Sequence, residues 1–210
     1  SFPFMTNQPF LQEVENDSGL NNLKSTQDWL KENKIFIELK LEEHGAIIFK
    51  DLPVKTAEDF DQFVSTFNYD TFTYEDSLSN AVRINKTNKV FTANEAPREV
   101  EIFLHHEMAQ TPTYPKNIFF FCKSASETGG ETPLCRSDQL YEALSKEDKT
   151  LVESFEKFGV IYNSIMSSGD ELLSGQGRSW QKTLGVSSKN DAEAKLSKLG
   201  YSWNWIEDDN

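Results

Sequence analysis

Apolar positions early in the chain predict a helix, a strand and a second helix. The first helical pattern covers residues 25–43, His44-Gly45 ends it, and the apolar run 46–49 is typical of a buried strand. The residues before this helix are polar and are predicted to be irregular. Thr56 and Asp59 form a capping-box-like start to the second helix. Its apolar side chains recur at helical spacing, which is more typical of core packing than of a ligand site: Phe60, Phe63, Val64 and Phe67.

The second half of the chain mixes apolar runs with further helical patterns. Strands are predicted at four places: 118–122, 132–135, 160–165 and 201–206. Ser137 is predicted to cap one helix, and Ser145 with Asp148 to form the capped start of another. A further helix is predicted over 190–199. Residues 166–189 are predicted to form a long loop. Short strands interspersed with helices, without a βαβ series, indicate an α+β chain.

Composition and charge narrow the function classes. The 210 residues are 37% hydrophobic and 12% aromatic, which is enough for one sizeable core. A net charge of −13 argues against binding to nucleic acid or to anionic membranes. The chain has no apolar run long enough to span a bilayer, and its first residues do not resemble a signal peptide. Cys122 and Cys135 are predicted to be reduced, buried thiols, which favours a cytoplasmic location.

The candidate chemistry lies among three histidines, His44, His105 and His106. On an extended strand, residues two apart point to the same face. His105 and Glu107 can then converge on one ion, while His106 faces away. A His-x-Glu pair supplies part of a 2-His-1-carboxylate facial triad, the arrangement that holds non-haem Fe(II) and leaves positions open. Taken alone, the pair also fits a solvated surface strand.

The segments around this pair form a specific combination in sequence order. They are VFTANEAP at 90–97, LHHEMA at 104–109, PxxIFFFC at 115–122 and GGETPL at 129–134. Together they resemble the TauD/TfdA superfamily, and Glu rather than Asp within HHEMAQ is closest to its clavaminate-synthase-like branch. HGAIIFK at 44–50 and GRSWQ at 177–181 are also similar to that family. The resemblance covers nearly the whole chain.

This resemblance implies a double-stranded β-helix (jelly roll) with flanking helices, and it assigns roles to individual residues. His105 and Glu107 would be iron ligands, and Thr132 would hydrogen-bond the carboxylate of 2-oxoglutarate, the cosubstrate. Four further residues would line the substrate pocket: Asn94, Gln110, Arg178 and Trp180. His44 is expected to be structural, and His106 to pack or to support the site.

The chain departs from the family pattern after His106, because no later histidine occurs. The family takes its third iron ligand, a distal His, and its 2-oxoglutarate-binding Arg from a C-terminal segment. A truncated jelly roll would leave unpaired strand edges and exposed apolar surface, which folded proteins normally avoid. We therefore expect residues 1–210 to form one TauD/TfdA-like domain that lacks its C-terminal part and that does not turn over alone.

For the complete enzyme, the resemblance implies that O₂ and 2-oxoglutarate are consumed, giving succinate and CO₂. The small substrate, polar and amino-acid-like, would be hydroxylated or otherwise oxidised. One alternative is a non-catalytic jelly-roll binding protein without a complete metal site. The missing His favours it, whereas the joint presence of His105, Glu107 and Thr132 does not. A zinc hydrolase ranks lower, since it needs three protein ligands plus a water.

Overall fold

The structure is a computed structural model that describes residues 10–72, 78, 83–93, 97, 99–169 and 178–206. In chain order the described elements are β1 (Gln12–Val14), α1 (Leu23–His44), β2 (Ile47–Phe49), α2 (Ala57–Thr66), α3 (Ser137–Glu147), α4 (Lys149–Phe158), α5 (Trp180–Leu184) and α6 (Lys189–Leu199). The chain divides into two compact units. The first unit draws on residues 1–70, 86–90 and 118–161, and the second on 71–85, 91–117 and 162–210.

The first unit is organised around a parallel strand pair and two helices. Gln12 pairs with Ile47 and Val14 with Phe49, so β1 lies beside β2. The apolar run 46–49 is therefore confirmed as a strand, whereas β1 lies in a segment that was predicted to be irregular. A strand of three residues carries too little periodicity to be recognised before its partner is known.

The core of the first unit lies between α1 and α2. Leu30 and Ile37 from α1 are buried against Phe63 of α2 and Phe67 just after it, with the two phenyl rings edge to face at 5.8 Å. Phe119 also packs on this cluster. The predicted aromatic stripe is thus confirmed as core. Each buried side chain of this size contributes roughly 1.5–3 kcal/mol through removal of apolar surface from water.

Both of these helices have the predicted boundaries to within a few residues. Gly45 follows α1 with a φ of 81°, a left-handed conformation that an L side chain adopts only with strain. Thr56 and Asp59 form a complete capping box at the start of α2, each side chain accepting from the other's backbone N–H. The Asp59 carboxylate also accepts from the backbone N–H of Lys55, and this hydrogen bond is the main cause of the lowered pKa of Asp59, followed by the bond from Thr56.

The helices α3 and α4 are also confirmed, but their predicted caps are wrong. Arg136, not Ser137, is the N-cap of α3, and it makes no side-chain capping bond. Asp148 caps α4 by accepting from the backbone N–H of Leu151 at 2.9 Å. The Ser145 hydroxyl instead donates to the carbonyl of Tyr141, as serine does inside a helix.

The second unit contains α5 and α6 and an isolated antiparallel bridge between Asn85 and Phe91. The prediction of an uninterrupted loop over 166–189 is wrong, because α5 forms within it. The Ser179 side chain accepts from the backbone N–H of Lys182 and so caps this one-turn helix. The helix α6 begins one residue before its predicted start and ends where predicted.

The four predicted strands of the second half do not form. Residues 118–122, 132–135, 160–165 and 201–206 carry no strand structure. An apolar run becomes a strand only when a neighbouring strand takes its backbone hydrogen bonds, and the described residues place none beside these segments. The described residues therefore combine helices with little sheet.

Cys122 and Cys135 are free thiols, as predicted, but both side chains are exposed. The prediction of burial is wrong, because both cysteines lie in segments that were predicted to be strands and are not. In the described part of the chain, no helix is both long and apolar enough to cross a bilayer.

Candidate functional site

The candidate metal ligands lie at a turn in the second unit. Residues 101–106 have no regular secondary structure, and a turn covers 107–110. The prediction that His105 and Glu107 lie on a strand is wrong, again because no neighbouring strand is present among the described residues. The turn is fixed by Met108, whose side chain is 2% exposed and whose φ is 61°.

The His105 imidazole is oriented by the backbone just before it. Its Nδ1 atom lies 2.6 Å from the carbonyl oxygen of Phe103, while the side chain as a whole is exposed. A carbonyl oxygen only accepts, so Nδ1 carries the proton, and in the neutral ring Nε2 then carries the lone pair. Histidines that bind metals commonly donate their other ring N–H to a backbone carbonyl in this way.

The Glu107 carboxylate faces an arginine, Arg83, that no sequence motif marks as part of the site. Oε1 of Glu107 lies 3.7 Å from Nη2 of Arg83, and the two side chains are 19% and 18% exposed. Arg83 is distant from the His-x-Glu segment in sequence. No spacing rule predicts this pairing. A mostly buried carboxylate needs a cationic partner, but the burial of Glu107 is itself known only from the structure.

The other predicted site residues are distributed over the chain. Gln110 is exposed at the end of the turn, and Thr132 is exposed in the first unit. Arg178 is partly buried just before α5. Trp180 begins α5 and packs edge to face on Trp205, with ring centroids 5.1 Å apart. Asn94 lies outside the described residues.

Comparison with known proteins identifies the family. The family described as taurine catabolism dioxygenase TauD, TfdA family matches residues 9–189. The chain belongs to this TauD/TfdA family. A clavaminate synthase-like protein of Arabidopsis thaliana is 35% identical over 179 residues, covering 85% of this chain and 54% of the relative. The dapdiamide synthesis protein DdaC of Enterobacter agglomerans is 27% identical over 168 residues, covering 80% of this chain and 48% of that protein.

The TauD/TfdA chain thus spans about half the length of these two curated relatives. TauD/TfdA dioxygenases generally use Fe(II) and 2-oxoglutarate. An imidazole nitrogen and a carboxylate oxygen are suitable Fe(II) donors, and the orientation of His105 by Phe103 fits such a role. Among the described residues, no three His, Cys, Asp or Glu side chains gather closely enough to hold a metal ion. The donor types of His105 and Glu107 therefore suit Fe(II), while their convergence on one ion stays a prediction.

Proposed function

We propose that this chain forms the N-terminal part of a non-haem Fe(II)/2-oxoglutarate-dependent oxygenase. We further propose that residues 1–210 belong to one domain whose complete fold is a double-stranded β-helix with flanking helices. The observation that carries the proposal is the His105-x-Glu107 pair in a TauD/TfdA chain, with His105 held in the tautomer that leaves Nε2 for a metal. The 210 residues span about half the length of each relative, and the activity is proposed for a polypeptide that also supplies the remaining strands and the third ligand.

In this proposal His105 and Glu107 hold the iron, and a third ligand comes from outside the 210 residues. The single carboxylate leaves net positive charge on a divalent ion, which favours an anionic cosubstrate. When iron and 2-oxoglutarate are bound, the centre supplies oxidation of a substrate by O₂, with release of succinate and CO₂. The hydroxyl of Thr132 would donate a hydrogen bond to the carboxylate of 2-oxoglutarate.

The proposed substrate is a small, polar, amino-acid-like molecule. One relative is named for dapdiamide synthesis and the other for its likeness to clavaminate synthase, which supports a small-molecule substrate. Four residues are proposed to line its pocket: Asn94, Gln110, Arg178 and Trp180. This part of the proposal rests on family analogy rather than on residue geometry.

The test is succinate formation from 2-oxoglutarate by the full natural polypeptide that contains this sequence. His105→Ala and Glu107→Ala should each abolish the iron-dependent reaction, because each removes a ligand. His106→Ala, a change of the same size at the adjacent residue, should retain most of it. Unchanged turnover in either ligand variant would overturn the site assignment.

The second candidate is a jelly-roll binding protein without a complete metal centre. It is favoured by the lack of a three-ligand group among the described side chains. It predicts that the natural polypeptide forms no succinate at any iron concentration. It also predicts that His105→Ala leaves the affinity for the small, amino-acid-like ligand unchanged. Iron-dependent succinate formation would exclude it.

A further inference from the structure

The ion pair between Arg83 and Glu107 links the candidate iron ligand to a separate part of the second unit. Nη2 of Arg83 lies 3.7 Å from Oε1 of Glu107, and about four-fifths of each side chain is shielded from solvent. A carboxylate shielded to this degree loses hydration and needs a cationic or hydrogen-bonding partner. Arg83 supplies positive charge on one side of the carboxylate.

Arg83 is itself held by an irregular hairpin. Its Nη1 atom lies 3.4 Å from the carbonyl oxygen of Thr92. The neighbouring Ile84 exchanges two hydrogen bonds with Thr92, one through the backbone at 2.9 Å and one through the threonine hydroxyl at 3.0 Å. The Asn85–Phe91 bridge closes the same hairpin. The Arg83 guanidinium is thus anchored to the backbone of this hairpin.

We propose that Arg83 is a positioning residue for the metal ligand Glu107, an inference that rests on the proposed function. At 3.7 Å the guanidinium attracts one carboxylate oxygen as an ion pair, and this attraction favours a side-chain rotamer that leaves the other oxygen for the ion. His105 is oriented in a parallel way, by the carbonyl of Phe103. Each of the two candidate ligands then has its own orienting partner, one on the backbone and one on the hairpin.

Two effects of Arg83 on metal affinity oppose each other. Its positive charge repels a bound cation, which weakens binding, whereas its hold on Glu107 preorganises the ligand, which strengthens binding. Loss of partners that orient metal ligands typically costs about 10–100-fold in affinity. The repulsion is screened by salt, because both side chains retain some solvent contact. We therefore expect preorganisation to outweigh repulsion, most clearly at high ionic strength.

The test is Mn(II) affinity, measured from the electron paramagnetic resonance signal of free Mn(II), in the full natural polypeptide. Mn(II) serves as a stand-in for Fe(II) that O₂ does not readily oxidise. Arg83→Gln should weaken binding about 10–100-fold at both low and high salt, and Arg83→Lys should recover part of that loss. Lys116→Gln removes an exposed positive charge from the same unit and should leave the affinity unchanged.

The outcomes separate the two proposals. If the wild type shows no Mn(II) binding that depends on Glu107, tested with Glu107→Gln, the proposed function fails and the role of Arg83 fails with it. If the wild type binds through Glu107 but Arg83→Gln binds equally well or more tightly, only the positioning role is overturned.

Circular dichroism establishes that each variant is folded. If Arg83→Gln does not fold, Arg83→Lys decides, since an affinity equal to that of the wild type would contradict a role for guanidinium geometry.

Discussion

Leu30 shows at the scale of one residue how the first unit is stabilised. Its side chain is 1% exposed and belongs to the cluster between α1 and α2, whereas Leu39 on the same helix is 59% exposed. Leu30→Ala should lower the free energy of unfolding by about 2–5 kcal/mol, because it removes buried methyl groups and leaves a cavity. Leu39→Ala should change it by less than about 0.5 kcal/mol. Chemical denaturation measures both, and equal losses would contradict the assigned core.

The sequence could predict residues whose role follows from their type and local spacing, and not those whose partners are distant. His105 and Glu107 were selected because two metal-binding side chains lie two positions apart. Arg83 was not, since its contact with Glu107 depends on how the hairpin meets the turn. Cys122 and Cys135 were expected to be buried on composition alone, and both are exposed.

The capping box of α2 allows a test at the scale of one element. Thr56→Ala removes the hydroxyl that accepts from the backbone N–H of Asp59, and should cost about 1 kcal/mol of unfolding free energy. Thr66→Ala is the matched control, because the Thr66 hydroxyl only donates to the carbonyl of Gln62 within the last turn. A loss at Thr56 no larger than that at Thr66 would contradict the capping role.

Asp59 makes the stability of the same helix depend on pH. Its folded-state pKa is lowered from the ordinary value of 3.8, first by the backbone N–H of Lys55 and then by that of Thr56. The charged carboxylate therefore stabilises the folded state fully above about pH 4, and this contribution is lost as the pH falls through the lowered pKa. The Asp59→Asn variant should be less stable than the wild type at pH 6. The difference in unfolding free energy between the two proteins should become smaller as the pH drops from 6 to 3. A difference that stays constant over this range would refute the linkage.

Helices were predicted from the sequence far better than strands. The hydrogen bonds of α1, α2 and α6 close within each helix, so periodicity and caps are sufficient signals. The runs at 118–122 and 160–165 have equally strong apolar character, yet a strand requires a second segment to complete its hydrogen bonds. Sequence spacing carries no information on whether that second segment is present.

At the scale of the whole molecule, a large amount of apolar surface is exposed. In the first unit it includes Phe155 on α4 and the residues that follow, with Phe158 75% and Ile161 86% exposed. Apolar surface of this kind is usually an interaction surface or a cause of aggregation. A polypeptide of these 210 residues should therefore bind the dye ANS at neutral pH, as seen by enhanced fluorescence.

The dye experiment has a matched control. The double variant Phe158→Ser with Ile161→Ser should reduce ANS fluorescence, while Gln139→Ser with Thr150→Ser, at exposed uncharged positions of α3 and α4, should not. Absence of ANS binding by the parent polypeptide would show that this surface is covered in solution.

His105 and Glu107 are proposed to bind iron in an oxygenase of the TauD/TfdA family. The most direct measurement is anaerobic Fe(II) binding by the full natural polypeptide, with and without 2-oxoglutarate. We expect binding at a single site, tightened by 2-oxoglutarate through reciprocal linkage and lost in both His105→Ala and Glu107→Ala. Absence of Fe(II) binding by the wild type, or equal affinity in the Glu107→Ala variant, would contradict it.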